Sequence, residues 1–161
     1  MIGLDTTGPN PADGHRLVEI AAVEIIGRQI SGTSFRSYLN PDWNYDSDAL
    51  HVDGPTRAAR DDKPSFSSIA HEFAEFIGND TLVLHDAQFH LEFLKREFSV
   101  AGHEFSPARA PIDVYELAGG KDFSHEFLNY LWAPVGIGPD DDTLAFKHAV
   151  WFARLYLGIT A

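Results

Sequence analysis

At 161 residues, with 44% hydrophobic and 12% aromatic side chains, the chain has material for one packed core and no room for a second, so one domain over 1–161 is expected. The absence of cysteine excludes a disulfide framework and thiolate metal sites and is compatible with a reducing cytoplasm, the expected location. Twelve Lys and Arg against twenty-four Asp and Glu, a net charge of −12, exclude a general nucleic-acid coat, because phosphate affinity comes from cationic side chains, but leave room for a short single-stranded end in a local cleft.

Met1–Asp5 reads as a short strand, with no basic region or signal-like apolar run. Thr6–Gly14 is rich in Gly, Pro, Asn and Asp and reads as a loop. Leu17–Ile26, LVEIAAVEII, is almost continuously apolar, the pattern of a strand buried on both faces. Gly27-Arg28 makes a tight turn into Gln29–Leu39, its hairpin partner. Asn40–Lys63 is polar, with short helical turns expected around Asp48–Val52 and Thr56–Arg60. After Pro64, the spacing of Phe66, Ile69, Phe73, Phe76 and Ile77 predicts a helix capped by Ser65.

Thr81–His85 is a short buried strand, Gln88–Val100 a helix and Ala110–Val114 a fifth strand. Short helices are expected over Tyr115–Ala118 and Glu126–Trp132, and a loop over Gly136–Asp142. The closing helix, Thr143–Gly158 with its stripe running on to Ile159, lines up Leu144, His148, Phe152 and Leu155. No stretch approaches the ~20 apolar residues of a membrane span, so a soluble protein is expected. Strands followed by alternating strands and helices predict an α/β fold, a five-stranded mixed sheet flanked by helices.

Three segments then stand together: LDTTG with DGHRLVEIAAVEII and the hairpin ending YLNPD; DKPSF with LVLHDAQFHLEFLKREF; and AFKHAVWFARLYLGIT. In this order and spacing they cover nearly the whole chain. They resemble the DEDDh 3′–5′ exonucleases, in particular the epsilon proofreading subunits of bacterial DNA polymerase III. The resemblance implies a ribonuclease H-like fold and a replication or repair setting. In that family two divalent metals, roughly 3.5–4 Å apart, hydrolyse the phosphodiester. Their ligands are carboxylates from D-x-E-T-T-G, H-N-x-x-F-D and H-x-x-x-x-D, and the His of the last motif is the base.

Laid on this chain, the motifs are depleted. The first reads Gly3-Leu4-Asp5-Thr6-Thr7-Gly8, so Gly3 takes the Asp position and Asp5 the Glu position. The second reads His85-Asp86-Ala87-Gln88-Phe89-His90, which puts His90 at the Asp and Asp86 at the Asn. The helix starting at Thr143 puts His148 at the last Asp and Thr143 at the base. The nucleotide-contacting V-H-G turn reads Val52-Asp53-Gly54. By the same resemblance Thr6, Thr7, Asp86 and Phe89 fall at substrate-binding positions.

Asp140–Asp142 precede the helix and His125 lies far upstream, so neither restores the set. One inherited acid cannot offset two dications, and neutral imidazoles suit Mg²⁺ poorly. A two-metal Mg²⁺ site is therefore not expected, and loss of the base alone would cost roughly 10²–10⁴-fold. An inactive or repurposed relative that acts through replication or repair proteins is the leading expectation.

The alternatives are a working exonuclease or a metal-binding module that holds one Zn²⁺ or Mn²⁺ on Asp5, His90 and His148. Against the metal reading, His148 can be a satisfied histidine on an apolar stripe, His90 can face solvent, and Asp5 can cap the following loop. His85 reads as structural.

Overall fold

A computed structural model describes residues 1–41, 61–119 and 144–161. Among them a five-stranded sheet has the order β3-β2-β1-β4-β5. The strands are β1 (Ile2–Thr6), β2 (Leu17–Ile26), β3 (Gln29–Tyr38), β4 (Val83–Leu84) and β5 (Ile112–Asp113). The first three form an antiparallel meander, and β4 and β5 run parallel to β1. The helices are α1 (Phe66–Ile77), α2 (Ala87–Val100), the single-turn α3 (Val114–Leu117) and α4 (Leu144–Ile159). This is the mixed sheet and helix arrangement expected from the sequence. The turns expected over 48–52 and 56–60, the Val52-Asp53-Gly54 turn, the 126–132 helix, the 136–142 loop, His125 and Thr143 lie outside the described residues.

The hairpin between β2 and β3 turns on Gly27 and Arg28, both at positive φ (56° and 67°), the conformation that a two-residue turn needs to match strand twist. Residues Leu17 to Val23 of β2 are all buried. Alternation along the strands sends Ile2, Leu4, Ile20, Ala22 and Phe35 to one face. There they meet Phe66, Ile69 and Phe73 of α1 and Phe93, Leu94 and Phe98 of α2. Edge-to-face packing of Phe66 on Phe98, with centroids 5.1 Å apart, and Phe35 against Phe73 at 5.3 Å lock this layer. The opposite face, carrying Val23 and Val83, packs under Val150, Phe152 and Leu155 of α4.

Two sequence readings change. Ser65 is the N-cap residue of α1, but its side chain makes no capping bond; Ser68 Oγ instead donates to the Ser65 carbonyl at 2.7 Å. On α4 the buried face centres on Ala145, Ala149 and Ala153, each fully buried, and the expected stripe member Ile159 is exposed. Small side chains at four-residue spacing let the helix backbone itself approach the sheet, a packing mode that a search for large apolar residues overlooks.

The meander is tied to α2 by one ion pair. Arg16 Nε and Nη2 donate to the two carboxylate oxygens of Glu97, each at 2.8 Å, and the Leu17 amide adds a bond at 3.1 Å. Glu97 is 1% exposed, so its charge depends on these donors. Arg16→Ala is expected to lower the unfolding free energy by roughly 3–5 kcal/mol in urea titration, because it strands a buried charge. Removing both partners with Arg16→Met and Glu97→Leu should cost less than Arg16→Ala alone. A loss under about 1 kcal/mol for Arg16→Ala would refute the assignment.

Candidate active site

The same alternation that buries Ile2 and Leu4 turns Gly3 and Asp5 toward α4. Register aligns two rows across the meander on that face: Gly3, Ala21 and Arg36, then Asp5, Glu19 and Tyr38. Over the first row the helix sits very close. A Cβ on Gly3 would run into the Ala145 carbonyl oxygen and stand 2.9 Å from the Ala149 nitrogen, so this backbone admits no side chain there. The second row is polar. Asp5 Oδ1 accepts the amide of Thr6, its neighbour in β1, at 2.9 Å. Glu19, only 3% exposed, accepts the Ala145 amide at 3.0 Å. Burial and then the Glu19 charge push the Tyr38 hydroxyl pKa up, and Arg36 lays its guanidinium 3.3 Å from the Phe146 ring centroid.

A second group forms where β4 passes into α2. Asp86 adopts a left-handed conformation (φ 56°) and caps α2 by accepting the Phe89 amide at 3.1 Å. His90 is 8% exposed, which corrects the expectation that it faces solvent. Its Nδ1 lies 2.9 Å from the Asp86 carbonyl; a carbonyl only accepts, so Nδ1 carries the proton and Nε2 the lone pair. His85 stacks on Phe152 at 3.8 Å and meets Tyr115 edge-on at 6.2 Å, in keeping with its structural reading. His148 lies 5.5 Å from the Trp151 ring and 6.2 Å from Phe152.

Burial first, opposed by the Asp86 carbonyl bond and then reinforced by His85, pulls the His90 pKa down to about 4. Burial, then His85 and His90, do the same for His148, to about 4. Both are neutral at pH 7. The positions matched to two family carboxylates thus hold neutral imidazoles, and His148 shares the Phe152 ring with His85.

The remaining expected positions serve the local fold. Thr6 Oγ1 donates to the Gly8 carbonyl at 2.8 Å. Thr7 is buried, and its hydroxyl accepts the Arg16 amide at 2.9 Å. Phe89 packs on Phe93 with centroids 4.9 Å apart. Among the described residues no group of three or more His, Asp and Glu side chains is arranged to hold a metal ion, so Asp5, His90 and His148 are not drawn together as the resemblance implied. A closed seat at Gly3, two neutral imidazoles and two acids bound to amides do not fit a pair of hard dications. Sequence reasoning missed Glu19. Its signal was a lone acid inside the apolar run LVEIAAV, where a buried charge always requires a partner.

The two histidines give stability a direction in pH. Their folded pKa lies below the usual 6.5, so their stabilising contribution is complete above about pH 6.5 and is lost as pH falls toward about 4. At about 1.4 kcal/mol per pKa unit, His90 alone accounts for on the order of 3 kcal/mol. Urea midpoints of the wild type should fall between pH 7 and pH 5, and His90→Leu should flatten that slope. Equal slopes in the two proteins would refute the assignment.

Comparison with known proteins places this geometry. The RNase_T exonuclease family matches residues 2–129. The chain is 36% identical to DNA polymerase III subunit epsilon of Rickettsia felis over 122 residues, which cover 76% of this chain and 51% of that protein. Against the same subunit of Escherichia coli K12 it is 38% identical over 104 residues, covering 62% and 43%. It thus spans about half the length of these curated relatives, or less. In three dimensions it is similar to exonuclease X in complex with 5′ overhanging duplex DNA (TM-score 0.70, 22% identity, 99% of this chain and 89% of that one). It is also similar to the cell-death related nuclease CRN-4 (TM-score 0.71, 17% identity, 99% and 62%). These last two likenesses concern the fold, which is ribonuclease H-like. The chain belongs to the RNase_T exonuclease family.

Proposed function

We propose that this chain is an exonuclease-fold domain that has lost two-metal hydrolysis and works as a non-catalytic relative of the polymerase III epsilon subunit. Its role is then to contact replication or repair proteins, with weak affinity for a single-stranded nucleic-acid end. The observation that carries this reading is the seat at Gly3. At the position matched to the family's first metal-binding Asp, the backbone of α4 fills the space a carboxylate would need. The neutral His90 and His148 support it, since neither offsets the charge of a dication beside a phosphate. Binding of a nucleic-acid end draws on the likeness to exonuclease X in its complex with DNA, and the polymerase setting on the epsilon relatives.

Two observations favour a second reading, an exonuclease or binding module whose single transition metal would have to draw Asp5, His90 and His148 together from the separate positions they hold here. The Asp86 carbonyl holds His90 in the tautomer whose Nε2 is free to ligate, and both histidines are neutral as ligands must be. One experiment separates the readings: 5′-labelled single-stranded DNA is incubated with the protein and Mg²⁺, Mn²⁺ or Zn²⁺. The leading reading expects no shortening that Asp5→Ala abolishes. Asp5-dependent shortening in Mg²⁺ would overturn it. The same loss confined to Zn²⁺ or Mn²⁺, together with stoichiometric metal that His90→Ala removes, would establish the second reading. Gly3→Asp is expected not to restore hydrolysis and to destabilise the fold by roughly 1–3 kcal/mol or more, as overpacking does.

A further inference from the structure

The C-terminal helix is held on the sheet by a buried charge for which the fold offers one conspicuous purpose. Glu19 is the third residue of β2, 3% exposed, directly across from Asp5 in the strand register. Two acids in facing positions of an antiparallel pair repel each other. Each has an amide to compensate: Thr6 for Asp5 and Ala145 for Glu19, at 2.9 and 3.0 Å. Ala145 is the second described residue of α4, and its amide goes to Glu19; amides near the start of a helix carry partial positive charge.

The same Ala145 presents its carbonyl to Gly3, one turn before Ala149 presents its nitrogen to the same glycine. Arg36, in register with Ala21 and so in the Gly3 row, closes the flank by covering Phe146.

We infer that Glu19 is a latch: its carboxylate draws the first turn of α4 down onto β1, and Gly3 is the seat that admits it. Glu19 is thus a positioning residue for the helix that carries His148, acting from the sheet and not from the cleft. The latch deepens the proposed function by supplying the means that keeps α4 over Gly3, and it rests on the reading that no metal pair needs that space.

Hydrogen–deuterium exchange of the whole chain tests it. Glu19→Ala should speed exchange of the amides at 145–149 by roughly ten- to a hundredfold, the scale of a lost bond to a charged group, while those at 93–98 of α2 change by less than about threefold. Glu19→Gln keeps an acceptor without the charge and should fall between; it carries the test if the alanine variant does not fold. Gly3→Ala should loosen the same amides. Added to Glu19→Ala it should contribute less than about threefold more, because a released helix no longer meets the seat.

Faster exchange spread evenly over both helices, no change at 145–149, or effects of the two substitutions that simply multiply would each overturn the latch. Asp5-dependent shortening of DNA would sink the proposed function instead, and would leave the exchange pattern to be judged separately.

Discussion

The start of α4 rests against the backbone of β1 with nothing between them, and much of the molecule is arranged around that contact. It needs no side chain at position 3, alanines at 145 and 149, and an acceptor for the first-turn amide, which Glu19 provides. Close backbone approach gains dispersion contacts that larger side chains would hold apart, and it keeps water out of the strip beneath the helix. The Asp–Glu–Tyr row beside it can then remain polar because each acid has a donor at hand.

Electrostatics explain why the rest of the cleft looks as it does. A family site crowded with carboxylates is tolerable only while cations sit among them; without that charge the acids would repel one another and lower the stability of the fold. Here two of the corresponding positions carry imidazoles that burial keeps uncharged, His148 against Trp151 and Phe152 and His90 against Phe89. On the proposed reading, that exchange turns a charged cavity into an extension of the core. Asp5 and Asp86 remain as acids, each engaged with a main-chain amide, Asp5 within its strand and Asp86 as the cap of α2.

Much of this was readable from the residues. The apolar run of β2 and the three-and-four spacing in α1 gave elements whose limits agree closely with the structure, because burial on two faces and on one stripe leave distinct periods. The depleted motifs at Gly3, His90 and His148 were visible by alignment with a known pattern. The contact that gives Gly3 its meaning was not, since it joins residues more than 140 positions apart, and alanines carry little hydrophobic signal. The burial of His90 escaped for a related reason: a histidine beside Phe89 at a helix start reads as exposed until the Asp86 carbonyl is seen to take its proton. The cap at Ser65 shows the opposite error, a suitable residue in the right place whose hydroxyl makes no bond to the helix.

One carboxylate at the far end of the sheet has a mechanical consequence. Asp113, the last residue of β5, uses one oxygen to accept the Ala87 amide at 2.7 Å and the other to accept the Tyr115 and Glu116 amides at 2.8 and 3.2 Å. The first turn of α2 and the whole of α3 are therefore pinned to a single rigid pivot. His90 rides on one arm and Tyr115, the edge-on neighbour of His85, on the other. A ligand or partner that displaced either arm would have to drag its companion along, so disturbances at this rim travel as a concerted swing and not as the stirring of one side chain.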